Sequence, residues 1–143
     1  MLVALCSQLY ISVCFSSPTA SEKAIEVHLQ GKLHLAIPLY DEALKKNPDS
    51  LTYCYRGMAY SDMQNDKLAL QDFASGLQLN AKNEICLNSR GVLLMRQKKN
   101  EEAFQENTQA IASNPKYAFA YGNRGQTLIH KKLYDQAIED LSM

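Results

Sequence analysis

The segment RGQTLIHKKLYDQAIEDL, residues 124–141, opens with an Arg-Gly pair that recurs upstream. Inside an amphipathic helix a glycine costs about 1 kcal/mol relative to alanine, so its presence needs a structural reason. The same pair stands in YRGMAY, residues 55–60, and in SRGVLL, residues 89–94. The glycines are 34 residues apart, and an alanine follows each by twelve: Gly57, Gly91 and Gly125, with Ala69, Ala103 and Ala137. Such a fixed period indicates an array of repeated structural units.

A first unit lacks the Arg-Gly pair but keeps the other small and aromatic positions. Its matching residues precede those of the second unit by 33 positions: Ala24, Ala36, Tyr40, Ala43 and Pro48 precede Gly57, Ala69, Phe73, Gly76 and Ala81. We therefore expect an apolar N-terminal segment over 1–19 and a repeat array over 20–143. The expected units are 20–49, 50–83, 84–117 and 118–143, and the last one is shorter than a full period.

Composition and charge narrow the functional classes. The 143 residues are 46% apolar and 21% charged, which is ordinary for a globular domain. Fifteen basic and fifteen acidic residues cancel, whereas a nucleic-acid surface needs clustered Lys and Arg to neutralise phosphates. The largest basic clusters, RQKK at 96–99 and HKK at 130–132, fall at expected helix ends, where cations complement the helix dipole. We therefore predict no nucleic-acid partner.

The sequence shows no arrangement typical of catalysis, cofactor binding or metal binding. Its cysteines and histidines have no CxxC motif and no metal-ligand spacing: Cys6, Cys14, Cys54, Cys86, His28, His34 and His130. A Gly-rich phosphate loop, a G-x-S-x-G elbow and a HExxH motif are also missing. We predict that the protein is not an enzyme, that it has no cofactor or metal, and that its cysteines are reduced, partly buried thiols.

The first 21 residues carry no charged side chain. They fit a helix packed against the first repeat or a truncated preceding unit, a secretory signal, or a poorly ordered tail. A secretory signal lacks support, because a basic start is missing, Ser7 and Gln8 interrupt the apolar run, and Pro18 is badly placed for cleavage. The run is also too interrupted for a membrane span. We expect a cytoplasmic protein, with secretion or membrane association through this segment as the alternative.

Each unit contains two apolar-periodic segments of about 13 residues, separated by a polar break such as NDK at 65–67. That length suits a helix better than a strand. Each unit is therefore predicted to be a helical hairpin. The first helices are expected at 20–31, 51–63, 84–97 and 118–131, and the second at 34–46, 67–79, 101–113 and 134–143. The segments KKNPDS at 45–50 and ASNPK at 112–116 are predicted to end second helices, since the residue before proline avoids the helical conformation.

The hairpin explains the recurring glycine. In an antiparallel hairpin, residues equidistant from the turn lie level, as Gly57 and Ala69 do. Two small residues facing each other let the helices approach closely. We expect larger side chains, such as Tyr60 and Phe73, to fill the space beside this contact and to offset the helix cost of glycine.

The recurring arginine has an acidic residue at a constant offset of 16 positions. The pairs are Arg56 with Asp72, Arg90 with Glu106, and Arg124 with Asp140. Three recurrences predict ion pairs that join the first helix of each unit to its second. Phosphate binding by free arginines is the alternative, and it is disfavoured by this pairing.

A helical hairpin repeated every 34 residues resembles the tetratricopeptide repeat. The second unit carries that family's pattern with Tyr53, Gly57, Tyr60, Ala69, Phe73 and Gly76, and the fourth with Tyr121, Gly125, Leu128, Ala137 and Leu141. The third departs from it at Leu87, Leu94 and Asn107 but keeps Gly91, Ala103, Ala110 and Pro115. The resemblance implies an all-α, right-handed superhelical solenoid of antiparallel helix pairs.

The same resemblance implies a non-catalytic adaptor that binds a peptide or helix of a partner protein in a concave groove lined by the first helices. Carried onto this sequence, the groove residues are Leu51, Cys54, Tyr55, Met58, Ser61, Asp62, Ile85, Asn88, Ser89, Val92, Met95, Arg96, Phe119, Asn123, Gln126, Ile129 and His130. This is a mixed, rather apolar surface.

Three alternatives remain within this architecture. A fragment of a longer scaffold, for example in a ciliary or transport assembly, would self-associate through an uncapped apolar stripe of Leu128, Tyr134, Ile138 and Leu141. A co-chaperone that holds acidic tails is disfavoured, because only Asn88 and Asn123 resemble carboxylate-clamp residues and neither is in frame. A helical-repeat RNA binder is disfavoured by the neutral charge.

Overall fold

The computed structural model describes residues 18–143 as eight α-helices joined by short turns. In chain order they are α1 (Ala20–Leu29), α2 (Leu33–Lys46), α3 (Ser50–Asp62), α4 (Asp66–Leu79), α5 (Glu84–Arg96), α6 (Asn100–Ser113), α7 (Ala118–His130) and α8 (Tyr134–Leu141). The predictions for the N-terminal apolar segment fall almost entirely on residues 1–17, which lie outside the described part. None of the described helices is both long and apolar enough to cross a membrane.

The helices form four consecutive antiparallel pairs, which confirms the all-α class and the hairpin prediction. The pairs are α1–α2, α3–α4, α5–α6 and α7–α8. The first helices of neighbouring pairs contact one another, whereas the second helices of neighbouring pairs do not within residues 18–143. The array therefore curves, with α1, α3, α5 and α7 on its inner side.

Side-chain caps fix where several helices begin. Thr19 and Glu22 form a capping box before α1: the Thr19 hydroxyl accepts from the Glu22 N–H at 3.2 Å, and the Glu22 carboxylate accepts from the Thr19 N–H at 2.7 Å. The Asp49 carboxylate accepts from the backbone N–H of Thr52 at 2.9 Å at the start of α3. These bonds satisfy N–H groups that have no partner within the helix.

The first helices end one or two residues earlier than predicted, because each is followed by a residue in the left-handed conformation. These residues are Gly31 (φ 74°), Gln64 (φ 59°), Lys98 (φ 61°) and Lys132 (φ 61°). The following N–H then reaches back to the helix, as Lys99 does by donating to the Leu94 carbonyl at 2.9 Å. The second helices α2 and α6 end directly before Asn-Pro, as predicted.

The close approach at the glycines is confirmed, and it is tighter than predicted. A Cβ atom on Gly57 would lie 2.8 Å from the Phe73 ring and 3.2 Å from the Ala69 carbonyl oxygen. On Gly125 it would lie 2.9 Å from Leu141 Cγ. The large side chain of the second helix thus lies directly over the glycine, and not only beside it.

All three predicted ion pairs are present. Arg56 donates two hydrogen bonds to Asp72, at 2.8 and 2.7 Å, Arg124 donates two to Asp140, at 2.7 and 2.6 Å, and Arg90 donates one to Glu106, at 2.6 Å. Arg56 also reaches Asp41 on α2 at 2.6 Å, which links two units. The hydrogen bonds that Arg56 donates to Asp72 raise the pKa of its guanidinium, so this cation stays charged.

The prediction that the cysteines are reduced thiols is wrong for Cys54 and Cys86, which form a disulfide. Their spacing of 32 residues matches no motif, but the contact between α3 and α5 brings their Cα atoms within 5.0 Å. Gly76 leaves the necessary space, because a Cβ atom there would lie 2.7 Å from the Cys86 sulfur. Both cysteines are fully buried, and their bond joins the second pair of helices to the third.

The predicted exposed stripe at the last hairpin needs one correction. Tyr134, Ile138 and Leu141 are exposed, but Leu128 is only 2% exposed. Leu128 lies three residues after the glycine of its hairpin, as Leu94 does in the preceding pair, and both positions face the interior. The exposed stripe therefore belongs to α8 and not to α7.

Candidate functional site

We define the inner groove as the surface formed by α1, α3, α5 and α7 on the concave side. All of the predicted groove residues are on these first helices, and seven of them line pockets between neighbouring first helices: Tyr55, Met58, Ser61, Asp62, Asn88, Ser89 and Val92. Of all the predicted groove residues, those exposed are Leu51, Asp62, Val92, Arg96, Phe119, Gln126, Ile129 and His130, and those half-buried are Tyr55, Met58, Ser61, Ile85, Ser89, Met95 and Asn123. Apolar side chains are thus accessible on α3, α5 and α7.

One predicted groove residue is not available to a partner, and a second is already hydrogen-bonded within the chain. Cys54 is fully buried and its sulfur is bonded to Cys86, so its assignment to the groove is wrong. Asn88 is almost buried, and its side-chain oxygen accepts a 2.7 Å hydrogen bond from Asn123 Nδ2. The two amides that resemble clamp residues are therefore engaged with each other, where they join α5 to α7.

A pocket of about 150 Å³ opens in the inner groove between α3 and α5. We call it the α3–α5 pocket. Met58 and Val92 supply its apolar walls, and the buried ring of Phe73 lies at its base. Ser61, Asp62, Asn88 and Ser89 complete the lining. The pocket is thus an apolar depression with polar groups at its edge.

A second pocket, of about 280 Å³, lies between α1 and α3, and we call it the α1–α3 pocket. Its lining consists of Ile25, His28, Leu29, Tyr55, Met58 and Asp62. Three of these residues, Ile25, His28 and Leu29, were missed by the sequence prediction. The offset of 33 that aligns the first two units places them at the positions of Met58, Ser61 and Asp62, so the sequence contained the signal.

His28 joins the groove surface to the core. Its Nε2 atom lies 3.1 Å from a carboxylate oxygen of Asp62, and its Nδ1 atom lies 3.1 Å from the hydroxyl of Tyr40. Tyr40 is fully buried, and burial raises the pKa of its hydroxyl well above the usual value. The two hydrogen bonds hold the imidazole in place: the contact with Asp62 joins α1 to α3, and the contact with Tyr40 joins α1 to α2.

The charged groups of the groove differ in how well they are compensated. Arg96 donates to the Asp66 carboxylate and to the Ser61 hydroxyl, the latter at 3.2 Å. Asp62 has a 60% exposed side chain and, within residues 18–143, no Lys or Arg nitrogen within 4 Å. A negative charge therefore remains open to solvent at the shared edge of both pockets.

The side chains of the groove can recognise another molecule by shape, apolar contact and charge. Within the described part of the chain, no three His, Cys, Asp or Glu side chains are grouped so that they could hold a metal ion. Among the polar groups that line the pockets, the Ser61 hydroxyl accepts from Arg96 at 3.2 Å, and the His28 imidazole lies 3.1 Å from the Asp62 carboxylate.

Comparison with known proteins is consistent with this geometry. The tetratricopeptide repeat family matches residues 107–139. Human tetratricopeptide repeat protein 6 is 33% identical over 114 residues, which is 79% of this chain and 22% of that protein. The chain thus spans about a fifth of the length of this curated relative.

Solved structures show the same fold. PilF from Pseudomonas aeruginosa superimposes with a TM-score of 0.78 at 22% identity, over 85% of this chain and 56% of its own. The structure of the Cut9–Hcn1 hetero-tetramer of the APC/C superimposes with a TM-score of 0.79 at 24% identity, over 86% of this chain and 25% of the matched chain. Proteins of this kind are typically non-catalytic, and their repeats generally bind other proteins. Four helical hairpins, the recurring small residues and these matches together show that the chain contains tetratricopeptide repeats.

Proposed function

We propose that the inner groove binds a segment of a partner protein and that the protein acts as a non-catalytic adaptor. The observation that carries this proposal is the presence of two adjoining apolar pockets on the inner side of the array. Leu29 lines one of these pockets and is 82% exposed, and Phe119, on the first helix α7, is 71% exposed. Apolar surface of this kind, rimmed by polar residues, is typical of interaction sites.

The physical basis of binding would be burial of this surface. Each Å² of apolar surface removed from water contributes about 25 cal/mol. The curvature favours one partner segment that contacts several first helices at once, because their exposed side chains converge on the concave side. The array is held in shape by the disulfide and the ion pairs, so little ordering of the groove would oppose binding.

Affinity capture with matched variants tests the proposal. The groove variant carries Tyr55→Ala, Met58→Ala and Phe119→Ala. The control variant removes two exposed apolar side chains from second helices, through Leu35→Ala and Leu79→Ala, and leaves α8 unchanged. Circular dichroism first establishes that both variants are folded.

We expect the groove variant to lose partners that the wild type and the control variant retain. The proposal is wrong if the groove variant retains every partner that the wild type captures. Loss from the control variant alone would place the interaction surface on the second helices instead.

We also infer a second contact surface, on α8, through which two copies of the chain associate. Tyr134, Ile138 and Leu141 are more than half exposed and lie along one side of this helix. Because such a stripe is costly to leave in water, association would bury it.

Sedimentation velocity over a range of concentrations tests this association. We expect the wild type to show concentration-dependent dimers and Ile138→Lys to remain monomeric. A matched lysine at another exposed apolar position, Leu79→Lys on α4, should leave the dimer intact. A wild type that stays monomeric at the highest concentration would disprove the association.

A further inference from the structure

We infer that the partner segment carries a lysine or arginine between two apolar side chains three residues apart. The apolar side chains enter the α1–α3 and α3–α5 pockets, and the basic side chain pairs with Asp62. This inference rests on the proposed function, because it names the chemistry of the segment that the inner groove binds.

The two pockets share one wall. Met58 and Asp62, one helical turn apart on α3, line both of them. A segment that fills both pockets must therefore cross α3 directly over these two residues. Whatever side chain lies at the crossing point meets the Asp62 carboxylate.

The spacing of the pockets determines the spacing of the apolar side chains. One pocket lies between α1 and α3 and the other between α3 and α5, so they are one interhelical distance apart. Packed helices are about 8–10 Å apart. In a polyproline-type extended segment, residues three apart lie on the same side and are separated by about 9 Å. Two residues remain between them, and one of these is the basic residue.

The charge of the crossing point selects for a cation. The nearest polar partner of Asp62 is the His28 imidazole, at 3.1 Å, while the carboxylate remains 60% exposed. Arg96, the cation at the equivalent position of the next helix, is held by Asp66 and Ser61. An acidic side chain at the crossing point would be repelled by the Asp62 carboxylate, and a neutral one would leave the exposed part of this carboxylate without a Lys or Arg partner. A lysine or arginine satisfies it.

Selection of peptides from a random library displayed on phage tests the inference without knowledge of the natural partner. The library is selected on the full chain as wild type, on Asp62→Lys and on a matched control, Asp135→Lys, which changes an exposed acid at the start of α8. Peptides that bind are then synthesised, and their affinity for each protein is measured by fluorescence anisotropy.

We expect the wild type and Asp135→Lys to enrich peptides with two apolar residues three apart and Lys or Arg between them. On Asp62→Lys the enriched residue between them should become Asp or Glu. Replacing the basic residue with Gln should weaken binding to the wild type by about twofold to fivefold, and this difference should shrink at high salt.

Failure of this inference and failure of the proposed function give different results. If peptides bind the groove but show no preference for a basic residue, or if the preference survives in Asp62→Lys, the inference is wrong while groove binding stands. If selected peptides bind the Tyr55→Ala, Met58→Ala, Phe119→Ala variant as well as the wild type, groove binding itself is wrong.

Discussion

The ring of Phe73 occupies the space that a side chain on Gly57 would need, with ring carbon Cε1 2.8 Å from the position of a Cβ atom. Alanine is a better helix former than glycine by about 1 kcal/mol. We nevertheless expect Gly57→Ala to lower the free energy of unfolding by about 1–3 kcal/mol, because the added methyl must displace a fully buried aromatic ring.

Gly122 supplies the matched control for this prediction. It also lies inside a first helix, but a Cβ atom there would meet nothing within 4 Å. Gly122→Ala should therefore raise the free energy of unfolding by about 0.5–1 kcal/mol. Urea unfolding followed by circular dichroism measures both changes. If Gly57→Ala and Gly122→Ala change the free energy of unfolding equally, helix propensity alone determines both changes.

The sequence was sufficient to predict the helix pairs, the glycine contacts and the three ion pairs. Each of these features recurs at the same place in successive units, so three weak signals, such as Arg56, Arg90 and Arg124 with their acids, support one another. The hairpin symmetry then converted sequence offsets into contacts, because residues equidistant from a turn lie level.

Features that occur once, or that recur without a common residue type, were not predictable in this way. Cys54 and Cys86 occupy different positions within their units, and only the packing of α3 against α5 makes them neighbours. The left-handed turn residues Gln64 and Lys98 carry no sequence signal, because glycine stands there only in the first hairpin. The pockets of the groove depend on side chains from two helices at once, which a pattern along one helix does not reveal.

Asn107 is a buried polar residue at a position where the other units have apolar side chains, namely Tyr40, Phe73 and Leu141. Its side-chain oxygen has no hydrogen-bond partner, and its Nδ2 atom donates to the Ala103 carbonyl at 3.0 Å. We expect Asn107→Leu to raise the free energy of unfolding by about 1–2 kcal/mol, because an unsatisfied buried polar atom is removed. Thermal and urea unfolding measure the change.

A matched substitution separates polarity from size at this position. Asn107→Asp keeps the shape but adds a second buried oxygen acceptor, so it should destabilise the fold. The explanation is wrong if Asn107→Leu is as destabilising as Asn107→Asp.

Lys98 adopts a left-handed backbone conformation, with φ 61°, at the turn between α5 and α6. For a residue with a Cβ atom this conformation costs about 1–2 kcal/mol. Lys98→Gly should therefore raise the free energy of unfolding by about 1 kcal/mol, and Gly31→Ala at the equivalent turn should lower it by a similar amount. Urea unfolding of the two variants, beside Lys99→Gly as a control without positive φ, tests the prediction. Stabilisation by Lys99→Gly would contradict it.

We expect Tyr40 to lower the free energy of unfolding at alkaline pH, where its hydroxyl loses a proton. Burial raises the pKa of its hydroxyl, while in the unfolded chain tyrosine titrates near its usual value of about 10. The stabilisation contributed by the protonated Tyr40 hydroxyl is therefore fully present below pH of about 10. It is lost as the pH rises further, because this hydroxyl loses its proton at a lower pH in the unfolded chain than in the folded one. Tyr40 can lower the free energy of unfolding by at most about 1.4 kcal/mol for each unit that the pH rises.

Urea unfolding across the alkaline range tests this assignment. Tyr40→Phe should be less stable than the wild type at neutral pH, because its hydrogen bond with His28 is lost, but should lose less stability as the pH rises. Tyr134→Phe, at an exposed position, should leave the slope unchanged. An identical slope in the wild type and Tyr40→Phe would refute the assignment.

The disulfide between Cys54 and Cys86 makes the stability of the array dependent on redox conditions. It closes a loop over a sequence separation of 32 residues. Closing a loop of that size stabilises a fold by about 3–4 kcal/mol in the chain-entropy model. Reductant should therefore lower the unfolding midpoint of the wild type and leave that of the Cys54→Ala, Cys86→Ala variant unchanged.

Peptide mapping identifies the bond directly and bears on localisation. Cleavage after Lys and Arg without reductant should release residues 47–56 and 83–90 as one linked species, which separates into two on reduction. Disulfides persist in oxidising compartments and are rare in the cytosol. A linked species in protein isolated from its native cells with thiols blocked at lysis would favour export over the cytoplasmic localisation expected from the sequence. Two separate peptides with alkylated cysteines from oxidatively purified protein would show that the bond does not form.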